Sequence, residues 1–264
     1  MEIDIYRLDK DASIELYPHA HITGQIFVIE QGLIRTMALS PSAPPEGTAE
    51  YLHPSGNWSL MPGQIGWMPP HVVHAAVAHG PVRGFGLHLP PDLSARLPET
   101  ARIVAQTTLT AALLERISGW PSGPVSNPAR QRLLQVLVDE LPQAPMLPNG
   151  LPLPLEPRLM RFAQALLDAP DDKAPLADWA ARLAMTERTL ARRFTAETGL
   201  TCGQWRQQAR LFKALELLAE GQPVLSVALS VGYDSLSAFG AAFRRQFGQS
   251  PGRFRLAGAS GPTG

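Results

Sequence analysis

Residues 142–157 read PQAPMLPNGLPLPLEP. Six of these sixteen residues are prolines, and proline has no backbone N–H to donate, so neither a helix nor a central strand can run through the stretch. What the chain builds before it must be separate from what it builds after it. The segment is expected to run extended, as a linker, between a front region (1–141) and a back region (158–264). Charge divides at the same place. Up to Leu155 there are 9 Lys and Arg against 13 Asp and Glu, a net of −4; from Glu156 to Leu256 there are 14 against 10, a net of +4. The overall charge of zero therefore hides two regions of opposite sign, which suggests different partners. No apolar run approaches the ~20 residues of a membrane span. The acidic, alternating N-terminus is unlike a signal peptide. The single cysteine, Cys202, rules out an internal disulfide framework. These features point to a cytoplasmic protein that does not enter the membrane.

The front region reads as β up to about residue 90. Short apolar runs such as GQIFVIEQGLIRTMAL and GQIGWMPP alternate with Gly/Pro turn clusters. Helical periodicity is expected from Leu97 to Ser118 and again from Pro128, where Leu134, Leu137 and Leu141 share a face. Leu113, Leu114 and Ile117 make either a dimer seam or a face packed on the β structure.

Behind the prolines every segment is helical, and one pattern occurs twice. A short helix carries Trp179, Ala180 and Leu183 inward, turns at AMT, and leads into a second helix with Leu190 and Phe194 facing back. Later, Val227, Ala228 and Val231 precede a turn at Gly232 and a helix striped by Phe239, Phe243 and Phe247. Thr186 and Ser235 are the residue types that cap helix N-termini. Residues 203–220 form a connecting helix of about 27 Å, using 1.5 Å per residue. With the flanking helices added, two recognition helices could reach major grooves about 34 Å apart.

Residues 157–256 resemble the DNA-binding domain of AraC/XylS-type transcription regulators. LADWAARLAMTERTLARRFTAETG, WRQQARLFKALELLAEG and VALSVGYDSLSAFGAAFRRQFGQSPGRFR carry the resemblance. It implies that the exposed face of the first recognition helix, here Arg188, Ala191 and Arg192, reads base edges; arginine can pair with guanine O6 and N7. Arg193, Arg244 and Arg245 are placed for phosphates, which set affinity and register. The corresponding face of the second helix is Leu236, Ser237, Gly240 and Ala241. None of these is a bidentate base reader, so a thymine-methyl contact and a Ser237 hydrogen bond are expected there. The sequence departs from the family at Ala184, where glycine is common; a left-handed backbone would cost alanine about 1 kcal/mol.

The front region resembles the two cupin motifs. His19-x-His21-x3-Gln25-x6-Gly32 corresponds to the first, and Gly63-x5-Pro69-x4-His74 to the second. Period two puts His19 and His21 on one side of a strand. Gln25 stands where the family has a carboxylate, and His71 where it has a glycine. Three readings of the histidines stand open. His19, His21 and His74 bind Zn²⁺, Ni²⁺ or Fe²⁺; or they line a pocket that binds an organic ligand with Gln25; or they are ordinary packing and surface residues. His53, His71, His79 and His88 show no comparable spacing and receive no role.

The expected fold is α+β in two domains. A cupin-like barrel (about 1–90) with helices (97–141) precedes the linker (142–157) and an all-α domain (158–264) with two helix-turn-helix units. The function expected is sequence-specific transcription regulation. Its partners would be double-stranded operator DNA, a small-molecule or metal effector, RNA polymerase and a second copy of the chain. The alternative is a metal-dependent, dioxygenase-like cupin enzyme fused to a helical domain. Two recognition helices have no use in such an enzyme, so no catalytic residue is assigned.

Overall fold

The computed structural model describes residues 1–11, 14–42, 51–147 and 150–259. Two compact units result: residues 1–54 with 58–150, and residues 55–57 with the chain from Leu151 onward.

The front unit is an antiparallel sheet with helices. Its strands are β1 (Glu2–Lys10), β2 (Ile14–His19), β3 (Gly24–Ser42), β4 (Tyr51–Leu60), β5 (Gln64–Met68), β6 (Val73–Leu89), β7 (Arg102–Ala105) and β8 (Gly123–Pro124). The main path runs β7-β5-β3-β6-β1-β8, with β2 paired to β6 and β4 to β3. The frame is the long β3–β6 pair, in register from Gly24 opposite Leu89 to Leu39 opposite Val73. Two register shifts, around Gln31, bend it midway. Gly32 makes that bend possible: its φ is +89°, and a Cβ there would lie 2.2 Å from the Pro81 carbonyl oxygen. Beyond the bend the partners change. β1 pairs with the last part of β6, and β2 with its first part.

Ile26, Val28, Ile65, Trp67, Phe85 and Leu87 form the apolar face of this sheet. Against it pack α2 (Thr108–Ser118) and α3 (Pro128–Glu140), through Leu113, Leu114, Ile117, Leu134, Leu137 and Val138. A dimer seam at Leu113, Leu114 and Ile117 is therefore excluded: the three are 6%, 0% and 0% exposed in the unit's own core. The helical expectation for 97–141 also needs correction. α1 is a single turn (Pro91–Ser94), and residues 102–105 are strand β7, paired with β5. Burial of Ile103 and Val104 and pairing along the sheet edge outweigh the apparent helical period. The helix begins only at Thr108, set by a reciprocal capping box between Thr107 and Thr110.

The proline-rich segment is not free along its length. Ala105 N–H donates to Pro145 O at 2.8 Å and Leu147 N–H to Ile103 O at 3.0 Å, which adds these residues to the edge of β7. In the back unit, Leu151 and Leu153 are buried. Trp205 Nε1–H donates to Pro152 O at 2.6 Å. Leu155 and Glu156 N–H groups donate to Glu197 Oε2. Proline cannot donate, but its carbonyl still accepts, and both anchors use that.

The back unit is helical: α4 (Pro157–Asp168), α5 (Leu176–Arg182), α6 (Glu187–Thr198), α7 (Cys202–Ala219), α8 (Val224–Ser230), α9 (Leu236–Phe247) and α10 (Pro251–Ala259). α5–α6 and α8–α9 are the two repeated helix pairs, and α7 joins them. Thr186 Oγ1 accepts from Thr189 N–H and Ser235 Oγ from Ala238 N–H, the expected N-caps. Edge-to-face rings tie the first pair to the connector: Phe162 meets Trp179 and Phe194, and Phe194 meets Trp205. In the second pair Phe239 and Phe243 are fully buried and Phe243 meets Phe247 edge to face. Ala184 holds φ +51° in the first turn, the strained conformation expected of it.

Candidate functional site

Two groups of side chains stand out, one in each unit. In the front unit, the sheet register puts His19 opposite His74. Ring centroids are 4.5 Å apart for His19 and His74, 4.9 Å for His19 and His21, and 5.4 Å for His21 and His74. One nitrogen from each of the three can lie within 4.8 Å of the others. The expected trio is thus brought together. Its local geometry differs from expectation in one respect: β2 ends at His19, so His21 lies in the following loop and not on the strand. His71 holds that loop, its N–H donating to His21 O at 2.7 Å. His71 itself sits at φ +63°, the left-handed conformation for which the motif uses glycine; histidine is among the residues that tolerate it.

His88 joins the cluster, contrary to the expectation that it has no role. β6 curls so that His74 near its start and His88 near its end both face His21, His88 with a centroid separation of 4.6 Å. Gln25 Nε2 donates to Tyr6 Oη and lies 3.2 Å from His88 Nε2. Tyr6 is the second residue that the motif spacing did not show. Its ring lies across Gly86, where a Cβ would come within 2.1 Å of it, and reaches His88 at 5.6 Å. A signal for both existed in GFGLHL: a glycine two residues before a histidine in a strand leaves room on the face that the histidine shares.

The electrostatics follow from burial. His74 is 2% exposed, and desolvation, with repulsion from His19, His21 and His88, pushes its pKa down to about 4. Burial first, then neighbouring imidazoles, also lower His21 and His88. Burial pushes the Tyr6 phenol well above its usual range, so it stays neutral. Burial thus holds His21, His74 and His88 toward the uncharged form. His19 Nδ1 lies 2.7 Å from Tyr17 O and His74 Nδ1 2.9 Å from Val72 O. A carbonyl can only accept, so both Nδ1 atoms carry a proton, and in uncharged His74 Nε2 keeps its lone pair. Among the described residues, the buried atoms His21 Nε2, His74 Nε2 and Gln25 Oε1 have no hydrogen-bond partner. His21 and His88 also line an open cleft of about 720 Å³ with Glu2, Asp4, Thr23 and Ser122.

In the back unit the second helices of the two pairs present exposed outer faces, charged on α6 and largely apolar over the first two turns of α9. On α6, Arg188 and Arg192 are exposed and Ala191 half-buried, while Leu190 and Phe194 are 0% exposed on the opposite side. Among the described residues no ion pair engages Arg188 or Arg192. Arg193 differs: its Nη1 is 3.6 Å from Glu156 Oε2, so part of its charge is already answered within the protein. On α9, Leu236, Ser237, Gly240, Ala241, Arg244 and Arg245 line one surface concavity of about 590 Å³.

Comparison with known proteins matches residues 46–168 to the AraC-like ligand binding domain family and residues 179–257 to a helix-turn-helix domain family. The chain is 34% identical over 197 residues to the HTH-type transcriptional regulator NimR of Escherichia coli K12, covering 75% of this chain and 72% of NimR. Among solved structures, ToxT from Vibrio cholerae aligns over 97% of this chain and 98% of its own, at 10% identity and a TM-score of 0.40. The DNA-binding domain of AdpA, solved with a target DNA, is 34% identical over 39% of this chain and 96% of its own, with a TM-score of 0.36.

Proposed function

The chain belongs to the AraC family of transcription regulators, and from that premise we propose how its two units divide the work. The family is one of regulators, not enzymes, so the dioxygenase-like alternative falls away; DNA is bound through the helix-turn-helix domain. Arg188 and Arg192 read guanine edges from α6, with Ala191 between them allowing close approach. Arg244 and Arg245 hold phosphates, and Arg193 contributes less because Glu156 shares its charge.

The front pocket is the sensor, and its ligand is an electron-pair acceptor. One observation carries this reading: His21 Nε2, His74 Nε2 and Gln25 Oε1 are buried polar atoms without partners among the described residues, and the Val72 carbonyl on His74 Nδ1 leaves His74 Nε2 as an acceptor. Leaving such atoms unsatisfied costs about 1–3 kcal/mol each, so an occupant from outside the chain is expected to answer them. Imidazoles whose Nδ1–H groups are fixed by backbone carbonyls, as in His19 and His74, suit a transition-metal ion such as Zn²⁺, Ni²⁺ or Fe²⁺. His19, His21 and His74 would hold it, and Gln25 would offer a weak fourth oxygen. Bound there, the ion would cross-link β2, the loop after it and β6. The adjoining 720 Å³ cleft favours a second reading, an organic effector that donates hydrogen bonds to the same atoms.

The test is a thermal melt of the full chain with each of the three ions, alongside elemental analysis of the purified protein. A metal ligand at a thousand times its Kd stabilises by about 4 kcal/mol. That shift should vanish in the His21→Ala, His74→Ala double variant, while DNA binding persists. No shift with any ion, and no metal in the isolated protein, would hand the pocket to the organic reading.

A further inference from the structure

We propose that α9 selects its segment of the operator by the 5-methyl groups of thymine. The inference rests on the reading of α6 and α9 as the two helices facing DNA, and concerns what the second of them reads.

Gly240 is the starting point. Glycine weakens a helix interior relative to alanine, and an interior glycine usually answers to something packed against it. Here nothing does: a Cβ at Gly240 would meet no atom within 4 Å. Its φ is not in the left-handed range either, since Gly240 is absent from the positive-φ glycines. Fold and packing therefore supply no reason for the missing side chain. Its effect is on the outer surface, where it forms the floor of the 590 Å³ concavity.

The walls of that concavity define what fits it. Leu236 is 49% exposed, a large apolar side chain left in water beside Ala241. Ser237 provides the one short polar group, and Arg244 and Arg245 stand exposed in the last turn of the helix. The lining thus puts apolar surface over the first two turns and cations at the far end. In the major groove the apolar group is the thymine methyl; guanine, cytosine and adenine present only donors and acceptors there. Cations at the helix end fit the flanking phosphates. α6 has the reverse character: counted from the N-caps Thr186 and Ser235, its Arg188 and Arg192 stand where α9 has Ser237 and Ala241, and its Glu187 stands where α9 has Leu236. The two segments of the operator should accordingly differ: guanine is read in one, thymine methyl in the other.

The experiment uses the full chain and an operator selected from random DNA. Positions read by α6 are those where Arg188→Ala or Arg192→Ala relaxes the selection; the α9 segment is the remaining conserved block. Replacing thymine by uracil, which lacks only the methyl, should weaken binding about fourfold per contacted base in the α9 segment. Fourfold corresponds to the ~0.8 kcal/mol of one buried carbon group. In the α6 segment the same replacement should change nothing. Leu236→Ala should abolish the thymine–uracil difference. Gly240→Leu, whose Cβ would meet no protein atom within 4 Å, should lower operator affinity without lowering the melting temperature. Equal binding of thymine and uracil operators, or a difference that survives Leu236→Ala, overturns the proposal and leaves the α6 reading standing. Failure to select any sequence overturns both.

Discussion

In the front unit His74 and Gln25 are 2% and 3% exposed and carry polar atoms that no group among the described residues satisfies, whereas in the back unit Arg188 and Arg192 stand in solvent. Under the proposed function the contrast reflects what each surface must meet. A small ligand is held by groups already stripped of water, because only then do a few contacts outweigh the cost of binding. A DNA-reading side chain must reach several ångströms into a groove, and its guanidinium stays hydrated until the phosphates and bases replace that water. Burial thus marks the site in one unit and exposure marks it in the other. A search for buried polar groups alone would have missed the arginines.

The largest expected effect that bears on this contrast is a pH dependence confined to the front. All seven histidines lie before residue 89, so the back unit has none to titrate. Burial pushes the His74 imidazole down to about 4 from its ordinary 6.5. Between those values the unfolded chain holds a proton that the folded chain lacks, so stability is intact above pH 6.5 and declines as pH falls toward 4. The slope from one such group is up to ~1.4 kcal/mol per pH unit, and the lowered His21 and His88 add in the same direction. Denaturant unfolding at pH 7, 6 and 5 should show an early, pH-sensitive front transition and a pH-insensitive back one. Equal sensitivity of both would mean that burial of the histidines does not distinguish the units.

The next effect sharpens the meaning of exposure within the back unit. Arg192→Ala should cost about 1–3 kcal/mol on the selected operator and little on random DNA, whereas Arg244→Ala should weaken both and reduce the salt slope by about one. Anisotropy titrations at several salt concentrations separate the two; identical behaviour would erase the distinction between base-reading and phosphate-holding cations.

The smallest effect tests strain in place of solvation. Ala184 occupies φ +51° in the turn between α5 and α6. Ala184→Gly should stabilise the back unit by about 0.5–1 kcal/mol, relief of the left-handed penalty less the entropy glycine adds. The back transition should move up with DNA affinity unaltered. A lowered transition would show that the alanine methyl contributes packing worth more than the strain.

How much of this was legible before folding depends on how local the cause is. The helix pairs were, because a 3.6-residue stripe, a Thr or Ser cap and a turn residue lie within about twenty positions of one another: Thr186, Leu190 and Phe194 are enough to orient Arg188 and Arg192. Ala184 was legible for the same reason. β7 was not, because Arg102–Ala105 became a strand through pairing with β5, which no local period announces. Nor could spacing tell that Leu113, Leu114 and Ile117 face their own sheet, since a helix stripe says which side is apolar and not what covers it.

The chain's order of residues by itself therefore determined the division at the prolines, the two helix pairs and the grouping of His19, His21, Gln25 and His74 as motif members. Tertiary structure alone decided that Tyr6 and His88 belong with them. Each is carried by a different strand or strand end, and they meet only because β6 bends about Gly32's neighbours and pairs with β1 on one stretch and β2 on another. Register between strands is fixed by the burial of whole faces, a property of the assembled sheet and of no single segment in it.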